Sequence, residues 1–101
     1  MGCYNCGMKK EKTAKQIERH LKGMANHHRI AILLYVDRHP DSTLEDIIVA
    51  LDANERTIGE HARRLYAAGL IAKRYEGRYV LHSLTPYGKL FTGFLQSFRR
   101  V

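Results

Sequence analysis

Residues 42–84 read STLEDIIVALDANERTIGEHARRLYAAGLIAKRYEGRYVLHSL and hold the most informative pattern in this chain. The segment Ser42-Thr43-Leu44-Glu45 matches a capping box, in which the Ser hydroxyl and the Glu carboxylate accept hydrogen bonds from unpaired backbone N–H groups. A helix is therefore predicted to begin at Ser42. Its apolar side chains then recur at the spacing of one helix face, at Leu44, Ile47, Ile48 and Leu51.

A second helix is predicted directly after a break at residues 52–54. Asn54 is a favourable N-cap, because its side-chain oxygen can accept from the first turn, and Gly69 is typical of the residue just past a helix end. The inward face would carry Ile58, Ala62 and Leu65. Two short helices joined by a tight turn, the second rich in long polar side chains, are typical of a unit that reads a DNA major groove.

The residues after the second helix predict a basic β-hairpin and a final helix. Strands over Ile71–Tyr75 and Arg78–Leu84 would be joined at Glu76-Gly77, where Gly supplies a positive φ. Thr85-Pro86 combines an N-cap with the proline preferred at the first helical position, so a helix is predicted from there to about Phe98.

The N-terminal part predicts a tail and two further helices. Residues 1–12 contain a Cys-x-x-Cys spacing and little to bury, so we expect a flexible tail. A second capping box at Thr13-Ala14-Lys15-Gln16 predicts a helix over about residues 13–22. Asn26 would cap a strongly apolar central helix that ends at His39-Pro40.

These elements together predict one domain over residues 13–101 that is mainly α with a β-hairpin wing. Its centre would be a three-helix bundle of the DNA/RNA-binding, winged helix-turn-helix type. The extra N- and C-terminal helices, about residues 13–22 and 86–98, are expected to dimerise.

The composition favours a polyanionic partner. The chain has 101 residues and a formal net charge of +7, from 17 Lys+Arg against 10 Asp+Glu, and each phosphate that such a surface neutralises releases counterions. No apolar run approaches the roughly 18 residues of a membrane span, and two cysteines are unlike a secreted disulfide framework. We therefore expect a cytoplasmic protein that does not bind membranes. No nucleophile–base or paired-carboxylate pattern appears, so enzymatic activity is not expected.

Several segments between Met24 and Gly88 carry a family resemblance. ANHHRIAIL (25–33) has an Arg followed by spaced aliphatic residues, NERTIGEHARRL (54–65) has a Thr, a His and a basic-basic-Leu ending, and AGLI (68–71) leads into the hairpin. In order and spacing these segments resemble the ArsR-type winged helix-turn-helix transcriptional regulators. LTPYG (84–88) is also similar to MarR-type regulators.

The resemblance implies a homodimer joined through its first and last helices, and a repressor that a metal ion or another effector releases from DNA. Metal-sensing members of the family place a Cys pair on the helix before the recognition helix, or Asp, His and Glu on the last helix. Neither set is present here, because Leu44–Leu51 contains no Cys or His and Pro86–Val101 contains no Asp, His or Glu.

The predicted DNA interface combines the polar face of the second helix with the hairpin. Arg can pair bidentately with guanine and Glu can accept from cytosine N4, Gly59 would let the helix lie close to the bases, and basic residues of the wing would meet phosphates or an adjacent minor groove. The alternative is an ordinary solvated helix face and a solubilising hairpin tip. The candidate contacts are Thr43, Asn54, Glu55, Arg56, Thr57, Gly59, Glu60, Arg63, Arg64, Lys73, Arg74 and Arg78.

The two cysteines and the apolar side chains of the terminal helices predict two further sites. Cys3 and Cys6 are the only thiols, and their spacing lets both sulfurs bind zinc or another soft metal, or each other. The alternative is a tail with incidental thiols. The terminal helices carry more apolar surface than this domain can cover, so we expect a dimer interface, with intrachain core as the alternative. Its residues are Ile17, Leu21, Tyr87, Leu90, Phe91, Phe94, Leu95 and Phe98.

The sequence therefore predicts a sequence-specific regulator of transcription that binds double-stranded DNA as a homodimeric repressor. Two alternatives stay open. One is a winged-helix adaptor that uses the same surfaces for protein contacts in a larger assembly. The other is a metal- or thiol-responsive sensor that uses Cys3 and Cys6.

Overall fold

The computed structural model describes residues 11–101, and in this range it contains five helices and one antiparallel hairpin. The predicted fold class is confirmed. None of the helices in this range is both long and apolar enough to cross a membrane. In chain order the elements are α1 (Ala14–Met24), α2 (His27–Arg38), α3 (Leu44–Leu51), α4 (Glu55–Ala67), β1 (Ile71–Glu76), β2 (Tyr79–Leu84) and α5 (Pro86–Phe98).

Polar caps fix the start of most helices where the sequence predicts it. Thr13 and Gln16 form the capping box of α1, and Asn26 accepts from the first turn of α2. Asn54 does the same for α4. Thr85 caps α5, and Pro86 follows at the first helical position. Because each cap satisfies N–H groups that have no partner inside the helix, these boundaries are set by local sequence.

Helix α3 begins one residue later than predicted. Its N-cap is Thr43 and not Ser42, and Asp46 closes the capping box in place of Glu45. Ser42 is instead buried and bridged to β2, where the N–H of His82 donates to the Ser42 carbonyl at 2.7 Å and the Ser42 N–H donates to the His82 carbonyl at 3.2 Å. This pairing leaves Thr43 as the first residue whose side chain can cap the helix.

The core forms where α2 packs against α3, α4 and the base of the hairpin. The predicted inward faces are confirmed for α3 at Ile47 and for α4 at Ile58, Ala62 and Leu65, all of which are buried. The buried apolar residues are Met24, Ile32, Leu33, Val36, Ile47, Ile58, Ala62, Leu65, Leu70 and Ile71. Since α3 and α4 bury one face each in this core, their opposite faces are held outward.

The hairpin, which we call the wing, has its turn one residue later than predicted. Glu76 pairs with Tyr79, so the two-residue turn is Gly77-Arg78 and not Glu76-Gly77. Gly77 has a φ of +62°, which suits the first turn position of a tight hairpin. The shift places Arg78 at the tip of the wing.

Helix α5 starts in close contact with the segment that precedes the wing. A Cβ atom on Gly88 would lie 2.0 Å from the carbonyl oxygen of Leu70, so only glycine fits there. The Thr85 hydroxyl donates to the Gly69 carbonyl at 2.6 Å. These contacts fix the direction in which α5 leaves the domain.

Candidate nucleic-acid interface

Helix α4, which we call the recognition helix, presents an exposed polar face opposite its buried one. The side chain of Asn54 is used inside the protein, because its Oδ1 accepts from the N–H groups of Arg56 at 2.8 Å and Thr57 at 3.1 Å. Thr43 and Thr57 are half-buried, and Thr43 caps α3. Of the predicted contacts in this region, Asn54, Glu55 and Arg56 are exposed, and Asn54 is the one whose side chain is occupied as a helix cap.

Two of the three arginines of the recognition helix are held by a carboxylate of the same helix. Arg63 Nη2 donates to Glu60 Oε1 at 2.7 Å, and Arg64 Nε donates to Glu60 Oε2 at 2.9 Å. The hydrogen bonds from Arg63 and then Arg64 lower the pKa of Glu60. Both oxygens of the Glu60 carboxylate are thus engaged within the helix, and so are both guanidinium groups.

Arg56 is different, because its side chain has no hydrogen-bond or ion-pair partner among residues 11–101. It lines an open groove together with Leu44, Asn54, Glu55 and Gly59. A Cβ atom on Gly59 would lie 3.8 Å from Leu44 Cδ2, an ordinary contact. The fold itself therefore does not require glycine at position 59, which leaves close approach of a ligand as a reason for it.

The wing holds two of its three basic side chains against the rest of the domain. Lys73 Nζ lies 4.4 Å from the ring centroid of Tyr66 on the recognition helix. Arg74 Nη2 lies 3.2 Å from Asp41 Oδ1 and its Nη1 3.3 Å from Glu76 Oε2, and the Asp41 hydrogen bond is the main cause that raises the pKa of Arg74.

Arg78, at the tip, is exposed and has no side-chain partner in the described part of the chain. It lines one groove with Thr43 and Glu45 of the α3 start and with Glu55 of the recognition helix. The wing tip and the beginning of the recognition helix therefore lie on the same face of the molecule, on either side of the N-terminus of α3.

Two exposed aromatic side chains of the wing were not among the predicted contacts. Tyr75 is 72% exposed and Tyr79 is 58% exposed, and they flank the turn in the paired strands. This pair could have been found from the sequence, because an aromatic residue lies on either side of the basic hairpin turn. Such side chains can pack against sugars or unstacked bases.

The apolar residues predicted for the dimer interface separate into two groups. Tyr87, Phe91 and Leu95 are half-buried and pack against the core, as the intrachain alternative anticipates. The others are exposed, and we call them the apolar face of the terminal helices: Ile17, Leu21, Leu90, Phe94 and Phe98. Helices α1 and α5 meet where the ring of His20 lies edge-on to Tyr87 with centroids 4.9 Å apart.

The predicted metal ligands Cys3 and Cys6 lie outside the described residues. Within residues 11–101, no group of three or more His, Cys, Asp or Glu side chains is placed to hold a metal ion.

The arrangement of helices and wing agrees with a family match. Residues 26–88 match the family described as the winged helix DNA-binding domain. The chain therefore belongs to the winged helix DNA-binding domain family, which confirms the fold and the DNA-binding class predicted from its sequence. No curated protein matches the chain in sequence.

Solved structures share this fold at low sequence identity. A predicted DNA-binding transcriptional regulator from E. coli superposes with a TM-score of 0.77 at 20% identity, over 84% of this chain and 90% of that one. HlyU from Vibrio cholerae gives 0.77 at 23% identity, over 88% and 97%. A homodimeric winged helix-turn-helix DNA-binding domain from Mycobacterium bovis, described as a possible ArsR-family transcriptional regulator, gives 0.74 at 22% identity, over 92% and 91%.

Proposed function

We propose that this chain is a sequence-specific regulator of transcription that binds double-stranded DNA as a homodimeric repressor. The observation that carries the proposal is the placement of Arg56 and Arg78, two exposed arginines without side-chain partners among residues 11–101. They line two grooves that share Leu44 and Glu55, so they lie on one face of the domain. Arg56 would read base edges in the major groove, and Arg78 would contact phosphate or the adjacent minor groove. The transcriptional regulators with the same fold support this interpretation.

The apolar face of the terminal helices supports the homodimer. Leu90 and Phe98 are 67% and 65% exposed, and a second copy that covers them would form a self-complementary interface. The fold neighbour from Mycobacterium bovis is described as homodimeric. Two recognition helices would then face successive major grooves roughly 34 Å apart, so the preferred site is a near-palindrome. Light scattering that gives a monomer at micromolar concentration would contradict this part of the proposal.

The test of function is a selection from random DNA. Purified protein is incubated with random duplexes, and the retained fragments are sequenced. We expect a shared near-palindrome, and we expect its binding to weaken steeply as salt rises, because several phosphate contacts release counterions. No enriched sequence and no salt-dependent binding would instead favour the adaptor that uses these surfaces for protein contacts.

Three further properties belong to the same proposal. We infer a binding role and not a catalytic one, and a cytoplasmic location where the protein reaches DNA. A zinc or thiol response at Cys3 and Cys6 stays a prediction. It is tested with a Cys3→Ser/Cys6→Ser double variant, compared with wild type for zinc content and for DNA affinity with and without oxidant. Identical behaviour in both assays would contradict it.

A further inference from the structure

Arg29 on α2 joins two elements that are far apart in the chain. Its Nε donates to Nδ1 of His61, in the middle of the recognition helix, at 3.1 Å. Its Nη1 donates to the backbone carbonyls of Lys22 at 3.2 Å and Gly23 at 3.0 Å, at the end of α1. One guanidinium therefore links the recognition helix to the helix that carries Ile17 and Leu21 of the apolar face.

The chemistry of this link needs an arginine. The carbonyls at a helix C-terminus have no partners inside the helix, and a planar guanidinium can donate to them while a second edge donates elsewhere. A lysine ammonium carries its donors on one nitrogen at the end of a flexible stem, so it would not hold the two acceptor sites at the fixed spacing that Nε and Nη1 of Arg29 set. The helices also touch at this end, because a Cβ atom on Gly23 would lie 3.0 Å from Cβ of Ala68.

The acceptor side of the link depends on the protonation state of His61. Nδ1 can accept from Arg29 only when it carries no proton, so the ring is the neutral tautomer with its proton on Nε2. A second proton would remove the acceptor and set a positive ring against the guanidinium. His28 of α2 stacks on the same ring, with centroids 5.2 Å apart.

The surroundings of His61 favour the neutral form. Burial is the main cause that lowers its pKa from the ordinary value of 6.5, and the charges of Arg29 and His28 on α2 and Arg64 on its own helix lower it further. Glu60, also on the recognition helix, acts in the opposite direction. From α1, the groups at this site are the two backbone carbonyls that Arg29 already binds.

We propose that Arg29 is a positioning residue for DNA recognition: it holds the recognition helix at a fixed angle to α1, and protonation of His61 releases this hold. The inference rests on the proposed function, because α1 belongs to the apolar face that would join the two copies. Releasing the link at low pH would let the two recognition helices depart from the spacing of a near-palindrome. Preference for that site over unrelated DNA would fall, even though the added positive charge favours DNA of any sequence.

The first experiment tests the link without DNA. Nitrogen NMR of the labelled full-length chain follows the His61 ring and the Arg29 Nε–H from about pH 8 to about pH 5. We expect an unprotonated Nδ1 at neutral pH, and we expect the Arg29 Nε–H signal to be lost in the same step that protonates His61. A proton on Nδ1 at neutral pH, or an Arg29 signal that does not respond to that step, would overturn the proposal.

The second experiment measures the ratio of affinities for the selected near-palindrome and a shuffled duplex of the same composition. For wild type we expect the ratio to fall about tenfold between about pH 7.5 and a pH at which the NMR titration shows His61 protonated. His61→Gln keeps an acceptor that does not titrate, so its ratio should stay high at both values. Arg29→Lys should have a low ratio at both, with the chain still folded by circular dichroism.

His28→Gln is the matched control, because it removes the neighbouring imidazole ring that stacks on His61 and leaves the link in place. It should still lose its preference as the pH falls, with the step moved to higher pH, because the charge of His28 is one of the causes that lower the pKa of His61. A His61→Gln variant that responds to pH as wild type does, or an Arg29→Lys variant that keeps the ratio, would overturn the link. If no protein binds DNA at all, the proposed function fails, and the NMR titration decides the link independently.

Discussion

The recognition helix and the wing each carry three Lys or Arg side chains, and each uses two of them within the protein. In the helix, Arg63 and Arg64 are paired with Glu60 of the same helix. In the wing, the partners belong to other elements as well: Lys73 lies over Tyr66 of the recognition helix and Arg74 reaches Asp41 in the loop before α3. The helix pairs are therefore local, whereas the wing pairs fix one element against another.

This difference changes what each predicted DNA contact can do. Arg63 and Arg64 need to break only their ion pairs with Glu60 before they can contact a phosphate or a base. Exposed ion pairs of this kind cost little free energy to break. Lys73 and Arg74 orient the wing, so their loss would act through the position of Arg78. The net charge of +7 indicates a polyanionic partner, but the pairing of the charges indicates which side chains are available to meet it.

The largest effect is expected for Arg56→Ala. If Arg56 reads a base edge, its loss should cost about 1–3 kcal/mol on the preferred site and little on shuffled DNA. Competition binding across a set of related duplexes measures the preference, with Lys89→Ala on α5 as the control for loss of one exposed positive charge. An equal loss of affinity for every duplex would show that Arg56 contacts phosphate. It would contradict the proposal that the recognition helix reads bases while the wing contacts the backbone.

Arg78→Ala should weaken binding to all sequences alike. Removing one phosphate contact lowers the slope of log affinity against log salt by about 0.9. The slope is measured on the selected duplex and on a shuffled one, where it should change equally. A loss confined to the selected duplex would assign sequence reading to the wing tip.

Gly59→Ala separates stability from binding on the recognition helix. The added methyl group fits against Leu44, and replacing a helical glycine by alanine should stabilise the domain by about 0.5–1 kcal/mol. DNA affinity should nevertheless fall if the helix backbone approaches the bases. Thermal unfolding and DNA binding are measured on the same preparation. A more stable variant with unchanged affinity would place Gly59 away from DNA.

The smallest effect is expected for Glu60→Gln, which removes the charge that holds Arg63 and Arg64. Affinity for shuffled DNA should rise slightly and its salt dependence should steepen, since two guanidinium groups become available to phosphates. Affinity for the selected duplex should rise by a similar amount, because phosphate contacts carry no sequence information. A drop in affinity for both duplexes would mean that Glu60 itself contacts DNA.

Most of the fold follows from local sequence, because helix starts depend on side chains within three residues of the cap. Thr13, Asn26, Asn54 and Thr85 all cap where their neighbours predict. The start of α3 does not, since Ser42 is paired with a residue 40 positions away. No local pattern contains that partner.

The sequence predicts which residues form the candidate site, but it does not predict which of their side chains are free to bind a ligand. The residues of the recognition helix and wing can be named from helical spacing and turn chemistry. Which basic side chain is already held depends on contacts between elements, such as Lys73 with Tyr66. The sequence also could not predict which apolar residues of α5 are half-buried and which are exposed. The close approach of Gly88 to Leu70 determines which side of this helix meets the core.

The bridge between Ser42 and His82 also bears on how the protein resists aggregation. With Ser42 on the outer edge of β2, β1 is the strand of the described chain whose outer edge stays open, and an open edge is a template for pairing with another chain. Lys73, Arg74 and Glu76 stand along that strand. A strand that added there would have to displace or bury these charges, so the residues that orient the wing also make its edge a poor place for a foreign strand to dock.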